Sequence, residues 1–185
     1  MFDVERFIAD CRAARQESSP EQAIKEVVER AMSRRAEAEE ALGTPQRGEV
    51  ATLHRSPDLT ILKAIWAPGI CFYPHDHRMW TVIGLYGGRE DNIFYRRAAR
   101  GLEQAGGKQL EIGETTVLGN AIIHAVTNPL RQFTGAIHVY GGDLFAMPRS
   151  EWDPETLEER PYDLENAKRV FAEANERWRA QSAER

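Results

Sequence analysis

The chain has 185 residues, 42% of them hydrophobic and 29% charged, which suits one folded unit with a substantial core. Lys and Arg number 24 against 29 Asp and Glu, a formal net charge of -5, so no basic surplus exists to neutralise phosphates and no nucleic-acid partner is expected. Two widely separated cysteines, Cys11 and Cys71, exclude a disulfide scaffold and a Cys-based zinc knuckle, and no apolar run approaches the roughly 18 residues of a membrane span.

The first predicted elements are helical. Phe7, Ile8 and Cys11 support a short helix over Val4 to Ala14. From Ser19 to about Leu42, Ile24, Val27, Val28 and Ala31 recur with the period of one helical face. Ser19 is placed to cap this helix, Pro20 suits its first turn, and Gln22 can reach back to the cap. Gly43-Thr44-Pro45 and Gly48 end the helical segment, which occupies residues 1–47.

The pattern then changes to short β-rich stretches separated by Gly, Pro, Asn and Asp. The candidate strands are Ala51-His54, Leu59-Ala67, Trp80-Tyr86, Asp91-Arg97, Gln109-Ile112, Thr115-Leu118, Ile122-Thr127 and Phe133-Tyr140. So many short strands in residues 48–150 predict an all-β sandwich or closed barrel and not a βαβ sheet. The remaining segment, 151–185, is expected to be a helical extension. Within it Leu164, Ala167, Phe171, Ala174 and Trp178 mark an amphipathic helix packed on the outside of the β unit, all in a single folded unit. The apolar helical faces suit either a monomer or a homodimer. Cysteine usage and the lack of a basic stretch leading into an apolar one near Met1 give the expectation of a cytoplasmic protein without a membrane partner.

Four of the five histidines fall between residues 75 and 138, in the most strand-like part of the chain. His75-Asp76-His77 puts two imidazoles at i and i+2, on one face of a strand. Such a pair reads either as two structural histidines or as two ligands of one metal ion. Cys71 reads as a small buried hydrophobe.

Two longer patterns add to this. Gly69, His75, His77 and Gly88 match the spacing of the first signature motif of the cupin superfamily. Gly113, His124 and Asn128 match the second, with Gly119 in its Pro slot and Ala121 in its Gly slot. Residues 50 to 150 therefore resemble a cupin, which implies a double-stranded β-helix barrel, jelly-roll-like, with the terminal helices outside it. The slot of the motif's metal-binding Glu holds Thr81 or Val82, so the resemblance implies a site of His75, His77 and His124 alone. Three neutral imidazoles suit Fe(II), and also Ni, Zn or Cu, better than Mg or Ca.

Within the cupins, a three-histidine site without Glu is similar to the thiol dioxygenases of the cysteine dioxygenase type. These carry a Ser-x-His-x-Tyr segment, matched here by Ala136, His138 and Tyr140 with Ala136 in place of the Ser. The run His75-Asp76-His77-Arg78-Met79-Trp80 resembles the bacterial 3-mercaptopropionate dioxygenases, and Thr81 and Val82 leave no cysteine to crosslink with the tyrosine as in the mammalian enzymes. The resemblance implies a non-heme iron enzyme that oxidises a small thiol carboxylate with O₂ to its sulfinate. The candidates are 3-mercaptopropionate, cysteine and mercaptosuccinate. Tyr140 would act as hydrogen-bond or proton donor to the reacting oxygen, with His138 orienting it. Arg55 is the expected partner of the substrate carboxylate, and Trp80 lines the pocket or packs in the barrel core. His54 is structural rather than a ligand. Two further readings keep the fold: a metalloenzyme oxidising or cleaving a non-thiol acid, and a non-catalytic metal or small-ligand binder.

Overall fold

A computed structural model describes residues 1–99 and 101–183. Three helices open the chain: α1 (Val4–Ala14), α2 (Pro20–Met32) and α3 (Arg35–Leu42). The Asp3 side chain caps α1 by accepting from the Arg6 amide at 3.0 Å. Ser19 precedes α2 with Pro20 in its first turn, but its side chain makes no capping hydrogen bond. The single helix expected to about Leu42 is broken at Ser33 and Arg34. There the Ser33 hydroxyl donates back to the Arg30 carbonyl, and α3 restarts as a weakly amphipathic element.

Nine strands follow: β1 (Glu49–Ser56), β2 (Leu59–Trp66), β3 (Cys71–Asp76), β4 (Thr81–Gly87), β5 (Arg89–Ala98), β6 (Gly101–Glu111), β7 (Thr115–Leu118), β8 (Ile123–Thr127) and β9 (Thr134–Tyr140). Two short strands, β10 (Ser150–Trp152) and β11 (Glu159–Pro161), precede the final helix α4 (Leu164–Ala183). They extend the β structure into the segment read from sequence as a helical tail. All pairings are antiparallel, in two sheets ordered β1-β2-β9-β4-β7 and β11-β10-β3-β8-β5-β6. Consecutive strands alternate between the two sheets over β2 to β5, giving the double-stranded β-helix of the cupins, with the helices outside it.

Period-2 alternation divides the first sheet between two cores. Leu59, Ile61 and Ile65 of β2, Val82 and Tyr86 of β4, and Ile137 and Val139 of β9 face α1 to α3, and pack on Ile24, Val27, Val28 and Met32. Gly84 belongs to this outward set, and a Cβ there would meet Val28 at 2.4 Å, so its lack of a side chain lets α2 lie on the sheet. The opposite parity places Ile83, Leu85 and Ala136 in the interior with Leu110 and Leu118. Covered on both sides, β9 is buried along its whole length. On the other flank, Ala167, Phe171 and Ala174 of α4 pack on Trp66, Phe72 and Tyr73. The Asn175 amide clamps this helix to the chain entering β1, accepting from the Gly48 amide at 2.6 Å and donating to its carbonyl at 2.9 Å.

Candidate metal centre

β3 carries His75 near its end, and His77 follows just past Asp76. The turn after His77 runs through Arg78 in the left-handed region, at φ +57°, where Asp76 holds the Arg78 side chain at 3.0 Å. β8 lies beside β3 in the register His75↔His124. All three histidines are buried. His77 Nε2 lies 3.2 Å from His75 Nε2 and 3.3 Å from His124 Nε2. Among the described residues this is the one group of three or more side chains placed to hold a metal ion.

The outer nitrogens explain how three imidazoles face one another. His75 Nδ1 sits 3.0 Å from the Tyr73 carbonyl, which can only accept, so Nδ1 carries the proton and Nε2 a lone pair. His124 Nδ1 lies 2.6 Å from Asn92 Oδ1, whose amide is turned that way because its Nδ2 donates to Glu90 at 2.9 Å. Thr81 Oγ1, in the slot of the missing Glu, lies 2.9 Å from His77 Nδ1. With the Thr81 hydroxyl accepting from His77 Nδ1–H, three Nε2 lone pairs converge, an arrangement that repels itself unless a cation stands between them. Ligand nitrogens about 2.0–2.1 Å from a divalent ion are separated by about 2.8–3.4 Å at bond angles between octahedral and tetrahedral. The observed 3.2 and 3.3 Å fit that interval.

The electrostatics agree with this use. Burial, helped by the Arg149 guanidinium, pushes the His75 imidazole down to about 3. Burial also holds His77 and His124 well below the ordinary histidine range, and the neighbouring imidazoles add to it. Neutral imidazole is the form that ligates.

His138 and Tyr140 project from β9 into the same interior. The Tyr140 ring stands edge-on to His77, with centroids 5.0 Å apart, and its hydroxyl lies 3.1 Å from His138 Nδ1. Burial pushes the phenol up, partly offset by Arg149. Ala136, in place of the Ser, is fully buried among Ile83, Leu85, Leu110 and Leu118. The polar partner of His138 is instead Glu90 of β5, 0% exposed, whose Oε2 lies 3.4 Å from His138 Nε2 and accepts from Trp66 Nε1 at 2.6 Å. Burial alone would raise the Glu90 carboxyl, but His138, Asn92 and Trp66 together hold it below the ordinary glutamate range.

A cavity of about 620 Å³ opens over His75, His77 and Tyr140, walled by Leu62, Trp66, Phe72, Leu144, Phe145 and Tyr162 and by the face of α4. Among the cations lining it, Arg149 acts on His75, His77 and Tyr140, and its guanidinium lies over the Tyr162 ring at 3.2 Å. Sequence reasoning passed over Arg149, Glu90, Asn92 and Trp66.

Two expected substrate residues stand elsewhere. Arg55 is half exposed and committed to Asp143, with Nε and Nη2 2.9 to 3.1 Å from its carboxylate oxygens, and does not line the cavity. Trp80 packs towards the helical core, its ring filling the space where a Cβ on Gly141 would be. Trp66 is the indole at the site. Cys71, expected to be buried, is exposed at the start of β3, whereas Cys11 is buried and its thiol is pushed up to about 12 by burial. His54 lies apart from the cluster against α1, near Arg12 and Arg15.

No protein-family profile matches this chain. Among solved structures it is similar to DMSP lyase DddQ from Ruegeria pomeroyi DSS-3, at 16% identity over 59% of this chain and 53% of that one, with a TM-score of 0.47. A double-stranded β-helix, RmlC-like cupin family protein from Methanocaldococcus jannaschii shares 10% identity over 55% of this chain and 86% of that one, TM-score 0.47. Bacillus subtilis oxalate decarboxylase, described with Mn(II) centres, shares 14% over 54% of this chain and 27% of that one, TM-score 0.45. The matched region thus spans about half of the lyase and a quarter of the decarboxylase. Among the described residues no helix is long and apolar enough to cross a membrane.

Proposed function

We propose that this chain is an iron-dependent thiol dioxygenase acting on a small thiol that carries a carboxylate. The observation that carries this reading is the pairing of a carboxylate-free, three-imidazole cluster with the Arg149 guanidinium and the Tyr140 phenol in the same cavity. Three neutral ligands leave the full charge of a divalent ion to attract an anionic sulfur, and they leave positions open beside it. When bound, Fe(II) supplies the site at which sulfur and O₂ combine, so that RSH and O₂ give RSO₂H with every atom retained. The protein's own groups do the rest. Arg149, stacked on Tyr162, is placed to take the carboxylate in bidentate fashion. Tyr140 presents a hydroxyl beside His77, backed by His138. Leu62, Phe72, Leu144 and Phe145 keep bulk water from the reacting atoms.

An oxygen-electrode screen of the iron-loaded protein tests this, using 3-mercaptopropionate, cysteine, mercaptosuccinate, cysteamine and thiol-free acids. Uptake with the thiol carboxylates, one sulfinate formed per O₂ consumed, is the expected result. Uptake with thiol-free acids and none with thiols would contradict it and favour a cupin oxidising another acid.

A further inference from the structure

The metal cluster and the His138–Tyr140 pair are joined by one residue that belongs to neither motif. Glu90 faces three nitrogens: Asn92 Nδ2 at 2.9 Å on Oε1, and Trp66 Nε1 at 2.6 Å and His138 Nε2 at 3.4 Å on Oε2. His138 Nε2 is buried and has no hydrogen-bond partner among the described residues, the Glu90 oxygen standing close to it without hydrogen-bond geometry. Asn92 in turn offers Oδ1 to His124 Nδ1 at 2.6 Å, and His138 offers Nδ1 to the Tyr140 hydroxyl at 3.1 Å.

An ionised carboxylate only accepts, whereas a neutral imidazole has one N–H and one lone pair. Opposite Glu90, His138 therefore carries its proton on Nε2, and Nδ1 is left to accept the Tyr140 O–H. On the other branch, Asn92 must give its amide N–H to Glu90, so its oxygen meets His124, which keeps the proton on Nδ1 and a lone pair on Nε2. We propose that Glu90 is a positioning residue that fixes the tautomers of both His138 and His124, and through His138 the direction of the Tyr140 hydroxyl. It does the orienting that the hydroxyl replaced by Ala136 would do, but from β5 and with a charge. One consequence reverses the donor role that the family resemblance gives Tyr140. With its proton on the His138 side, the phenol turns lone pairs to the cavity and accepts from a proton-bearing group of the substrate.

The isosteric change Glu90→Gln in a Trp66→Phe background tests this: Trp66 Nε1 shares Oε2 with His138 and cannot accept from an NH₂, but with the indole gone the introduced NH₂ must face either Asn92 or His138. In zinc-loaded protein the metal holds His124 by Nε2, so Asn92 cannot turn over. The introduced NH₂ must then face His138 and force its proton to Nδ1. Long-range ¹H–¹⁵N spectra of ¹⁵N-histidine-labelled, zinc-loaded protein near neutral pH read the protonated nitrogen directly, with His138 assigned by its loss in His138→Asn. The wild type and Trp66→Phe should show Nε2–H with Nδ1 bare, and the double variant should show Nδ1–H. A wild-type His138 protonated on Nδ1, alone or together with Nε2, would overturn the proposal. So would a double-variant spectrum identical to that of Trp66→Phe. If the variant does not fold, the wild-type spectrum alone decides. The consequence for turnover rests on the thiol dioxygenase reading, but the tautomer does not. Failure of the oxygen-electrode screen and failure of this inference are therefore distinguishable.

Discussion

At the scale of single residues, the site works because each imidazole has its outward nitrogen tied off. The Tyr73 carbonyl, Thr81 and Asn92 fill that role for His75, His77 and His124. Removing such a partner releases the ring to turn, and losses of about 10- to 100-fold in metal affinity are typical. Asn92→Ala should therefore weaken metal binding by about that factor in a competitive chelator titration while the protein stays folded. A second residue-scale prediction separates two arginines. Arg149→Ala should raise KM for a thiol carboxylate by about 10- to 100-fold, the cost of about 1.5–3 kcal/mol for losing a charged hydrogen bond. Arg55→Ala should leave KM within about twofold, since its guanidinium is held by Asp143 at the surface. Steady-state kinetics with 3-mercaptopropionate decide between them, and equal effects of the two variants would contradict the assignment.

The same scale shows what could be read in advance. His75, His77, His124, His138 and Tyr140 lie in short motifs whose spacing carries their geometry, and all five side chains point into one interior. Arg55 could not be placed, because Asp143 is 88 positions away in the chain and nothing local announces their pairing. Glu90 and Asn92 are the buried positions of β5, two residues apart, yet the expected strand began at Asp91 and cut off Glu90. Their role depends on the β5 to β8 register Asn92↔Val126 and Phe94↔His124, a long-range pairing that no window of sequence displays.

At the scale of elements, turns fix the strands that carry these groups. Gly88 joins β4 to β5 at φ +75°, and a Cβ there would meet Thr134 Oγ1 at 2.3 Å and its Cα at 2.8 Å. That same Thr134 hydroxyl donates to the Arg89 carbonyl at 2.8 Å and accepts from the Arg89 amide at 3.0 Å, one residue before Glu90. Gly88→Ala combines a strained backbone with a steric clash, so it should cost about 2–3 kcal/mol. A lower urea midpoint with an unchanged slope is the expected observation. The motif glycines Gly69 and Gly113 also sit at positive φ, which is why this part of the fold was legible in the sequence. The break between α2 and α3 was not. It rests on the Ser33 hydroxyl turning back to the Arg30 carbonyl, a bond that competes with continuing the helix and leaves the apolar period almost undisturbed.

At the scale of the whole molecule, helices cover the β-helix on two sides with different consequences. α1 to α3 seal the outer face of one sheet, whereas α4 supplies a wall of the cavity above the metal centre. Phe171 of α4 stacks on Trp66 with centroids 5.4 Å apart, and Trp66 holds Glu90. Phe171→Ala should destabilise the fold by about 3 kcal/mol in equilibrium unfolding. It should also loosen the indole that fixes the carboxylate, so histidine ¹⁵N signals at the site should broaden.

In the function proposed above, three imidazoles would hold an ion with room for a substrate sulfur beside it. Electron paramagnetic resonance of the anaerobic Fe(II) protein with nitric oxide, an O₂ stand-in, tests this most directly. Adding a thiol carboxylate should convert the spectrum to a distinct species that the corresponding thioether does not produce. A spectrum unchanged by every thiol would contradict direct binding of sulfur at the His75, His77 and His124 centre.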